Sequence, residues 1–249
     1  NIDPIRDIET INIELMLSDL ELLERRLEKT QKAAKGDKSL LAEVELIQRT
    51  MKTLEEGKSI RTMSLSEEEE TLMKSYTLLS SKPVIYVANI SEDDLANNGT
   101  NDYAEKVKEF ALSEKSEAVI VSAAIEEEIS QLDEDERKEF LSDLGLEQSG
   151  LDKLIQASYS LLGLISFITT GEIETRAWTI KKGTLAPQAA GKIHSDIERG
   201  FIRAEVITYD DLMAIGGSMA TAREKGLLRI EGKEYVMKDG DVVHFRFNV

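Results

Sequence analysis

Two short polar segments carry the residue types best suited to binding a small ligand. Asn89-Ile90-Ser91-Glu92 follows the apolar, β-branched run Val84–Ala88, and Ser122-Ala123-Ala124 follows the similar run Ala118–Val121. Such runs predict strands that are buried on both faces. Ligands of open α/β sheets bind beyond the carboxyl ends of the strands, where the two segments would meet. The sequence therefore predicts a ligand site at this edge of a sheet.

The two predicted strands belong to a βαβ unit. A helix from about Asn101 to Leu112 separates them, and this spacing is typical of a right-handed crossover in a parallel sheet. Two strands are an incomplete sheet, so we expect the missing strands from residues outside these 249. The pattern that follows predicts an acidic helical region to about Leu144 and a helix over Ser149–Leu162.

Residues 1–80 are predicted to be helical. Apolar positions at helical spacing indicate one helix over Asp7–Lys35 and a second over Ser39–Glu56, joined by a short turn. Two such helices are typical of an antiparallel helical hairpin, or coiled-coil arm. A capping-box pattern starts a third helix, predicted over Ser66–Leu79.

The last part of the chain alternates short strands with helices, which is typical of a compact α+β domain. Trp178 and Phe201 are expected in its core rather than on its surface. The strands are predicted over Ile165–Thr169, Ala177–Lys181, Phe201–Ile207, Leu227–Ile230 and Val242–Phe247.

The run Ala189–Val206 resembles the C-terminal TGS domain of the YchF family of Obg-related P-loop nucleotide hydrolases. The resemblance extends over nearly the whole chain, from Asp3 to the terminal Phe245–Val249. The implied fold is α/β plus α+β, with part of a parallel P-loop NTPase sheet. It implies three parts: a helical, coiled-coil arm (1–80), the C-terminal part of a nucleotide-binding G domain (81–163) and a β-grasp TGS domain (164–249).

The first polar segment resembles the base-recognition loop of that family. P-loop GTPases carry Asn-Lys-x-Asp here, and the Asp carboxylate accepts two guanine N–H donors; in this chain Ile90 replaces the Lys and Glu92 replaces the Asp. Adenine presents an amine donor where guanine has an acceptor, so a backbone carbonyl or the Asn89 amide oxygen would select adenine. ATP is therefore the expected nucleotide. The predicted base-binding residues are Asn89, Ile90, Glu92, Ser122, Ala123 and Ala124.

No phosphate-binding loop of the form Gly-x-x-x-x-Gly-Lys-Ser/Thr occurs in the 249 residues. Phosphoryl transfer needs backbone N–H groups around the phosphates, a Lys and a hydroxyl on Mg²⁺. We therefore expect a chain that lacks its N-terminal P-loop segment, holds no catalytic residue or metal ligand, and binds nucleotide weakly without hydrolysing it. The resemblance implies that the intact parent is an ATPase, and a weaker GTPase, that uses Mg²⁺.

TGS domains occur in factors that meet RNA or the ribosome, so the resemblance implies ribosomal RNA as a partner. The chain carries a net charge of −17, and its basic and acidic residues balance within residues 161–249. The basic excess typical of a nucleic-acid binder is absent, so solvated surface charges are the alternative interpretation for each candidate. The candidate RNA contacts are Lys181, Lys182, Lys192, Arg199 and Arg203, with Arg223 and His194 as further possibilities.

Composition narrows the class of protein. The absence of Cys excludes disulfides and thiolate metal sites, and no apolar run approaches the roughly 18 residues of a membrane span. We expect a cytoplasmic monomer with no membrane partner. A non-enzymatic adaptor, which binds RNA or protein through the helical arm and the β-grasp domain, is the main alternative. A self-associating coiled-coil scaffold is disfavoured by short helices with few heptads.

Overall fold

A computed structural model describes residues 2–96, 101–171 and 174–248 of the chain. The chain divides into two compact units, Asn1–Ala157 and Ser158–Val249. The elements that begin in the first unit are α1 Pro4–Ala34, α2 Leu41–Glu55, α3 Glu67–Tyr76, β1 Ile85–Asn89, α4 Glu92–Ala96, α5 Asp102–Ser113, β2 Glu117–Val121, α6 Ala123–Gln131, α7 Glu134–Asp143 and α8 Gly150–Leu161. No helix among the described residues is long and apolar enough to cross a membrane.

Helices α1, α2 and α3 pack together through apolar side chains. Helix α1 begins three residues before its predicted start, because the Asp3 carboxylate accepts a hydrogen bond from the backbone N–H of Arg6 and Pro4 suits a first helical turn. Helix α3 has the predicted capping box but ends at Tyr76 rather than Leu79. It ends there because Thr77 adopts a left-handed conformation with φ 56°. The shared core of these helices includes Met16, Leu23, Leu46, Ile47, Leu54, Met73 and Tyr76.

A buried carboxylate on α1 holds the segment that leads into β1. Asp19 is 2% exposed. Its oxygens accept hydrogen bonds from the backbone N–H of Leu79 at 2.8 Å, the backbone N–H of Ser80 at 2.7 Å and the Ser80 hydroxyl at 2.6 Å. The middle of α1 is therefore fixed to the chain a few residues before β1 begins.

The predicted βαβ unit is present. Strands β1 and β2 are parallel, with Ile85 opposite Glu117 and Asn89 opposite Val121, and α5 connects them. The prediction that these strands are buried on both faces is wrong for β1, because Val87 is 48% exposed. In the described residues β1 pairs with β2 alone, so the other edge of β1 is unpaired.

The predicted acidic helical region after β2 consists of two helices, α6 and α7. Asp133 begins α7 with a capping box to Glu136, which interrupts the helix before it. Glu126 of α6 accepts backbone hydrogen bonds from Gly150 at 2.6 Å and Leu151 at 3.2 Å, and so caps the start of α8. This arrangement fixes α6, and the polar segment at its start, against α8.

The second unit is built on a five-stranded sheet in the order β4-β3-β7-β5-β6. Strands β3 and β7 are parallel and the other neighbours are antiparallel. The elements are β3 Leu164–Thr170, β4 Thr175–Lys181, α9 Ala186–Ile193, α10 Ser195–Arg199, β5 Phe201–Thr208, α11 Tyr209–Ala214, α12 Met219–Glu224, β6 Arg229–Glu231 and β7 Asp241–Phe247. Strand β6 begins two residues later than predicted, and the other strands lie within two residues of their predicted ends.

The sheet of the second unit packs a core on each face. One face buries Phe167, Phe201 and Phe245 with the alanines of α9, which confirms the core position predicted for Phe201. Trp178 packs at the margin of this core and is only partly buried. The other face packs Ile207 and Val242 against α11 and α12. Part of that second face is left to polar residues.

Candidate functional site

The two polar segments lie side by side at the carboxyl ends of β1 and β2. Asn89 is the last residue of β1 and stands opposite Val121, the last residue of β2. The backbone N–H of Ile90 donates to the Val121 carbonyl at 2.9 Å, so the pairing continues one residue beyond β1. Parallel pairing thus delivers both predicted segments to one sheet edge.

The Asn89 side chain joins the two segments directly. Its Oδ1 accepts a hydrogen bond from the backbone N–H of Ala123 at 3.0 Å, across 34 positions of the chain. A backbone N–H is only a donor, which fixes the amide with its oxygen toward Ala123 and its NH₂ group elsewhere. Asn89 therefore holds the edge together, and its oxygen already has a partner.

Ser122 has the most unusual environment of the predicted residues. It is 1% exposed and precedes α6, where its carbonyl accepts from the Glu126 N–H at 2.9 Å. Its Oγ makes no hydrogen bond with any described residue. A buried hydroxyl without a partner costs about 1–3 kcal/mol, so such atoms call for an explanation. A ligand would reach this hydroxyl only if the segment shifts on binding.

The remaining predicted residues present different chemical groups to this edge. Ile90 is half-buried, whereas Glu92, Ala123 and Ala124 are exposed. Glu92 is the first residue of α4, so its carboxylate stands at the start of a short helix. All six predicted base-binding residues therefore lie in two segments that meet at one edge of the sheet.

Asp94 and Asn101 lie beside this edge, and the sequence did not predict them as site residues. The Asp94 N–H donates to the Ser91 hydroxyl at 3.2 Å, and the Asn101 NH₂ group donates to the Asp94 carboxylate at 2.8 Å. Hydrogen bonds from Ser91 first, and then from Asn101, lower the pKa of Asp94. The sequence predicted Asn101 only as the start of α5. Its capping role there was the signal that could have identified it as a site residue.

An apolar cavity of about 680 Å³ adjoins the same edge. A volume of this size is typical of small-molecule sites. The N-terminal part of α1, the last four residues of β1 and the first half of α5 line it. The lining residues include Ile8, Ile11, Leu15, Val87, Asn89, Ile90, Ser91, Asp94, Asn101 and Val107.

The five candidate RNA contacts of the second unit are all exposed but lie on different elements. Lys181 ends β4 and Lys182 follows it. Lys192 lies in α9 and Arg199 in α10. Arg199 pairs with Asp196 at 2.7 Å, which offsets its charge. His194 caps α10, since its Nδ1 accepts from the Asp196 N–H at 3.2 Å.

Of these five candidates, only Arg203 lies beside the carboxylate of the buried Glu205. Two other arginines, Arg223 and Arg246, approach the same carboxylate. Arg246 Nε donates to Glu205 Oε1 at 3.0 Å, and Arg223 Nη2 donates to Glu205 Oε2 at 2.5 Å. Arg203 Nη2 lies 3.9 Å from Oε1. The hydrogen bonds from Arg246 and Arg223 lower the pKa of Glu205, although burial opposes them. Arg246 was missed from the sequence, because strand pairing across about 40 positions places it here.

Within residues 2–96, 101–171 and 174–248, no group of three or more His, Asp or Glu side chains is arranged to hold a metal ion.

A protein-family model named YchF-GTPase_C, described as a protein of unknown function (DUF933), matches residues 164–248.

Two curated relatives and one solved structure match nearly the whole chain. The Ribosome-binding ATPase YchF of Bacillus subtilis (strain 168) is 52% identical over 249 residues, which are 100% of this chain and 68% of the relative. The Obg-like ATPase 1 of Caenorhabditis elegans is 38% identical over 99% of this chain and 63% of its own length. The structure of the Schizosaccharomyces pombe YchF GTPase superposes with a TM-score of 0.85 at 36% identity, covering 99% of this chain and 67% of that one. The chain therefore belongs to the YchF family.

Proposed function

We propose that this chain provides the base-recognition part of an ATP site and the ribosome-binding part of a YchF-type ATPase. The hydrogen bond from the Ala123 N–H to Asn89 Oδ1 is the observation that carries the first half, because it joins two segments into one ligand-facing edge. The relatives named as ribosome-binding ATPases support the second half. ATP is the nucleotide, and ribosomal RNA is the main partner.

Adenine fits the edge better than guanine. Guanine selection needs a fixed carboxylate that accepts two N–H donors, and the exposed Glu92 at the start of α4 is one methylene longer than the Asp of GTPases. Ile90 supplies apolar cover where those enzymes use a Lys stem. A backbone carbonyl near Asn89 would accept the adenine amine, or the Asn89 oxygen would, since its bond to Ala123 uses only one of its two lone pairs.

The phosphates and Mg²⁺ would be bound by a region that the matched 68% of the relatives does not include. The open edge of β1 and the apolar cavity beside it are suited to further strands of the same sheet. We propose the division into a coiled-coil arm (1–80), the C-terminal part of a G domain (81–163) and a β-grasp TGS domain (164–249). In this proposal the protein is a cytoplasmic monomer whose bound nucleotide controls its docking on the ribosome.

Binding of fluorescent ATP and GTP analogues tests the nucleotide half of the proposal. The chain would be compared with a version extended by the upstream region of the Bacillus subtilis relative. We expect ATP-selective binding by the extended version and weak binding by the chain alone. The double change Ile90→Lys and Glu92→Asp should move selectivity toward GTP by about tenfold or more, because a bidentate base contact contributes about 1–3 kcal/mol. No nucleotide binding in either version would leave the non-enzymatic adaptor.

Replacing Ser122 with alanine separates a ligand role from a structural one. Because the Ser122 hydroxyl is buried without a partner, the variant should keep its free energy of unfolding or gain up to about 1 kcal/mol. If the hydroxyl bonds the bound nucleotide, ATP affinity of the extended version should fall about fivefold. Isothermal calorimetry and urea unfolding measure the two quantities.

Ser130→Ala is the matched control, since Ser130 lies exposed on α6 and its hydroxyl bonds the Glu127 carbonyl. It should change neither quantity measurably. An ATP affinity that is unchanged in Ser122→Ala would remove Ser122 from the site.

A further inference from the structure

The polar part of the second sheet face is organised by one buried carboxylate. Glu205 and Arg203 lie on β5, His244 and Arg246 on β7, and Arg223 on α12. Glu205 stands opposite His244, and Arg203 stands opposite Arg246, so these four side chains share one face. These five residues are called the Glu205 cluster.

The cluster holds its positive charge outward. Glu205 is 4% exposed, whereas the side chains of Arg203, Arg223 and Arg246 are 51%, 56% and 42% exposed. Three guanidinium groups against one carboxylate leave two positive charges at this spot. Each guanidinium carries five N–H donors, and the carboxylate beneath engages only a few of them. Hydrogen bonds to Glu205 orient the guanidinium groups of Arg223 and Arg246, while Arg203 lies at ion-pair distance, and all three side chains remain partly exposed.

The arrangement of the three arginines is not one that stability of the fold alone would favour. Like charges directly opposite each other on neighbouring strands are destabilising, and Arg203 stands directly opposite Arg246. One carboxylate would satisfy one arginine as a simple ion pair. A buried Glu205 that orders several exposed guanidinium groups is instead typical of a pre-organised anion site.

We propose that the Glu205 cluster binds the phosphodiester backbone of RNA. The proposal rests on the ribosome-binding part of the proposed function and identifies the surface that carries it. Planar guanidinium groups match phosphate oxygens bidentately. Ile230, which stands opposite Glu205 on β6 and is 60% exposed, offers an apolar contact for a ribose or base beside the phosphates. The cluster also concentrates positive charge locally in a unit whose charges balance overall.

His244 gives the cluster a spectroscopic reporter. Burial, and then the charges of Arg246 and Arg223, lower its pKa, while Glu205 acts in the opposite direction. A phosphate placed beside these groups adds negative charge and should raise the pKa of His244. The chain contains two histidines, so the His244 resonance is readily assigned.

The test replaces two arginines and keeps the third. The double variant Arg203→Gln and Arg223→Gln retains the Arg246–Glu205 pair, which is held by two hydrogen bonds. The double change Lys233→Gln and Lys238→Gln is the matched control, because both lysines are exposed between β6 and β7 and the change also removes two positive charges. Fluorescence anisotropy with a short labelled single-stranded RNA would be measured at several salt concentrations.

We expect the double variant to bind RNA about tenfold or more weakly at low salt. The plot of the logarithm of the RNA association constant against the logarithm of salt concentration should become less steep by about 1.4. Each phosphate contact to single-stranded RNA contributes about 0.7 to this slope, and the variant loses two. The control should keep both the affinity and the slope of the unchanged chain. RNA should also raise the pKa of His244 in the unchanged chain but not in the double variant.

Three results would overturn the proposal, and each would keep a different part of the proposed function. Equal RNA binding by the unchanged chain and a folded double variant would reject the cluster but keep an RNA role for the chain. Competition by poly-glutamate as strong as that by RNA would point to an acidic protein partner instead. No RNA binding by the unchanged chain would reject both this site and the RNA role, while ATP selectivity of the extended version stands on its own measurement.

Discussion

Replacing Asp19 with alanine is expected to lower the free energy of unfolding of the first unit by about 3 kcal/mol or more. The change removes a buried carboxylate that accepts three hydrogen bonds from Leu79 and Ser80. The N–H and the hydroxyl of the buried Ser80 then lose their acceptor, as does the N–H of Leu79, and a buried donor without a partner costs about 1–3 kcal/mol. Asp19→Asn should cost less, because the amide keeps one acceptor oxygen.

The measurement takes advantage of a single tryptophan. Trp178 is the only tryptophan of the chain and lies in the second unit, so its fluorescence follows that unit, whereas circular dichroism follows both. Asp19→Ala should move the dichroism transition in urea and leave the fluorescence transition in place. Glu24→Ala, an exposed carboxylate on the same helix, should change stability by less than about 0.5 kcal/mol. Equal effects of the two changes would contradict the anchoring role of Asp19.

A second contact ties the helical region to the same strand. Arg61 donates to the Glu114 carboxylate at 3.3 Å and to the Lys82 carbonyl at 3.3 Å, and the Tyr86 hydroxyl donates to Glu114 at 2.7 Å. Burial first, and then Glu114, raise the pKa of Tyr86. Together with Asp19, this network fixes both the approach to β1 and β1 itself, the strand that ends at Asn89. A shift of the helices would therefore be felt at the proposed base site.

Local patterns in the sequence predicted most elements of the fold. The apolar runs before Asn89 and Ser122 predicted two parallel strands, and the structure confirms their pairing. The capping box at Ser66 predicted the start of α3. These features depend on a few neighbouring residues, so one sequence is enough to identify them.

Contacts between distant residues were not predictable in the same way. The Asn89–Ala123 hydrogen bond, the capture of Ser80 by Asp19 and the approach of Arg246 to Glu205 all depend on how elements pair or pack. The exposure of Val87 depends on what stands beside β1, which no pattern within the strand records. The proposed base site was therefore predicted as a set of residues, but the role of Asn89 as their bridge was not.

Replacing Gly200 with alanine is expected to destabilise the second unit by about 2 kcal/mol or more. Gly200 joins α10 to β5, and a Cβ atom there would collide with the backbone carbonyl of Asn248. Rotation of that carbonyl alone would not relieve the clash, because the Cβ would also lie 2.9 Å from the carbonyl carbon of Asn248, whose N–H donates to the Gly200 carbonyl at 2.9 Å. Relief therefore requires the end of the chain to move away from β5. The fluorescence transition of Trp178 should shift to lower urea.

Gly191→Ala provides the matched comparison within the same run. A Cβ atom on Gly191 would meet mainly the carboxylate end of Glu198, a flexible side chain that can turn toward solvent. Alanine also favours a helix over glycine by about 1 kcal/mol, which offsets the repacking. The Gly191→Ala variant should therefore unfold within about 1 kcal/mol of the unchanged chain. Equal losses for the two glycines would mean that the Asn248 backbone yields as easily as a side chain, and that close approach of the two strands does not explain Gly200.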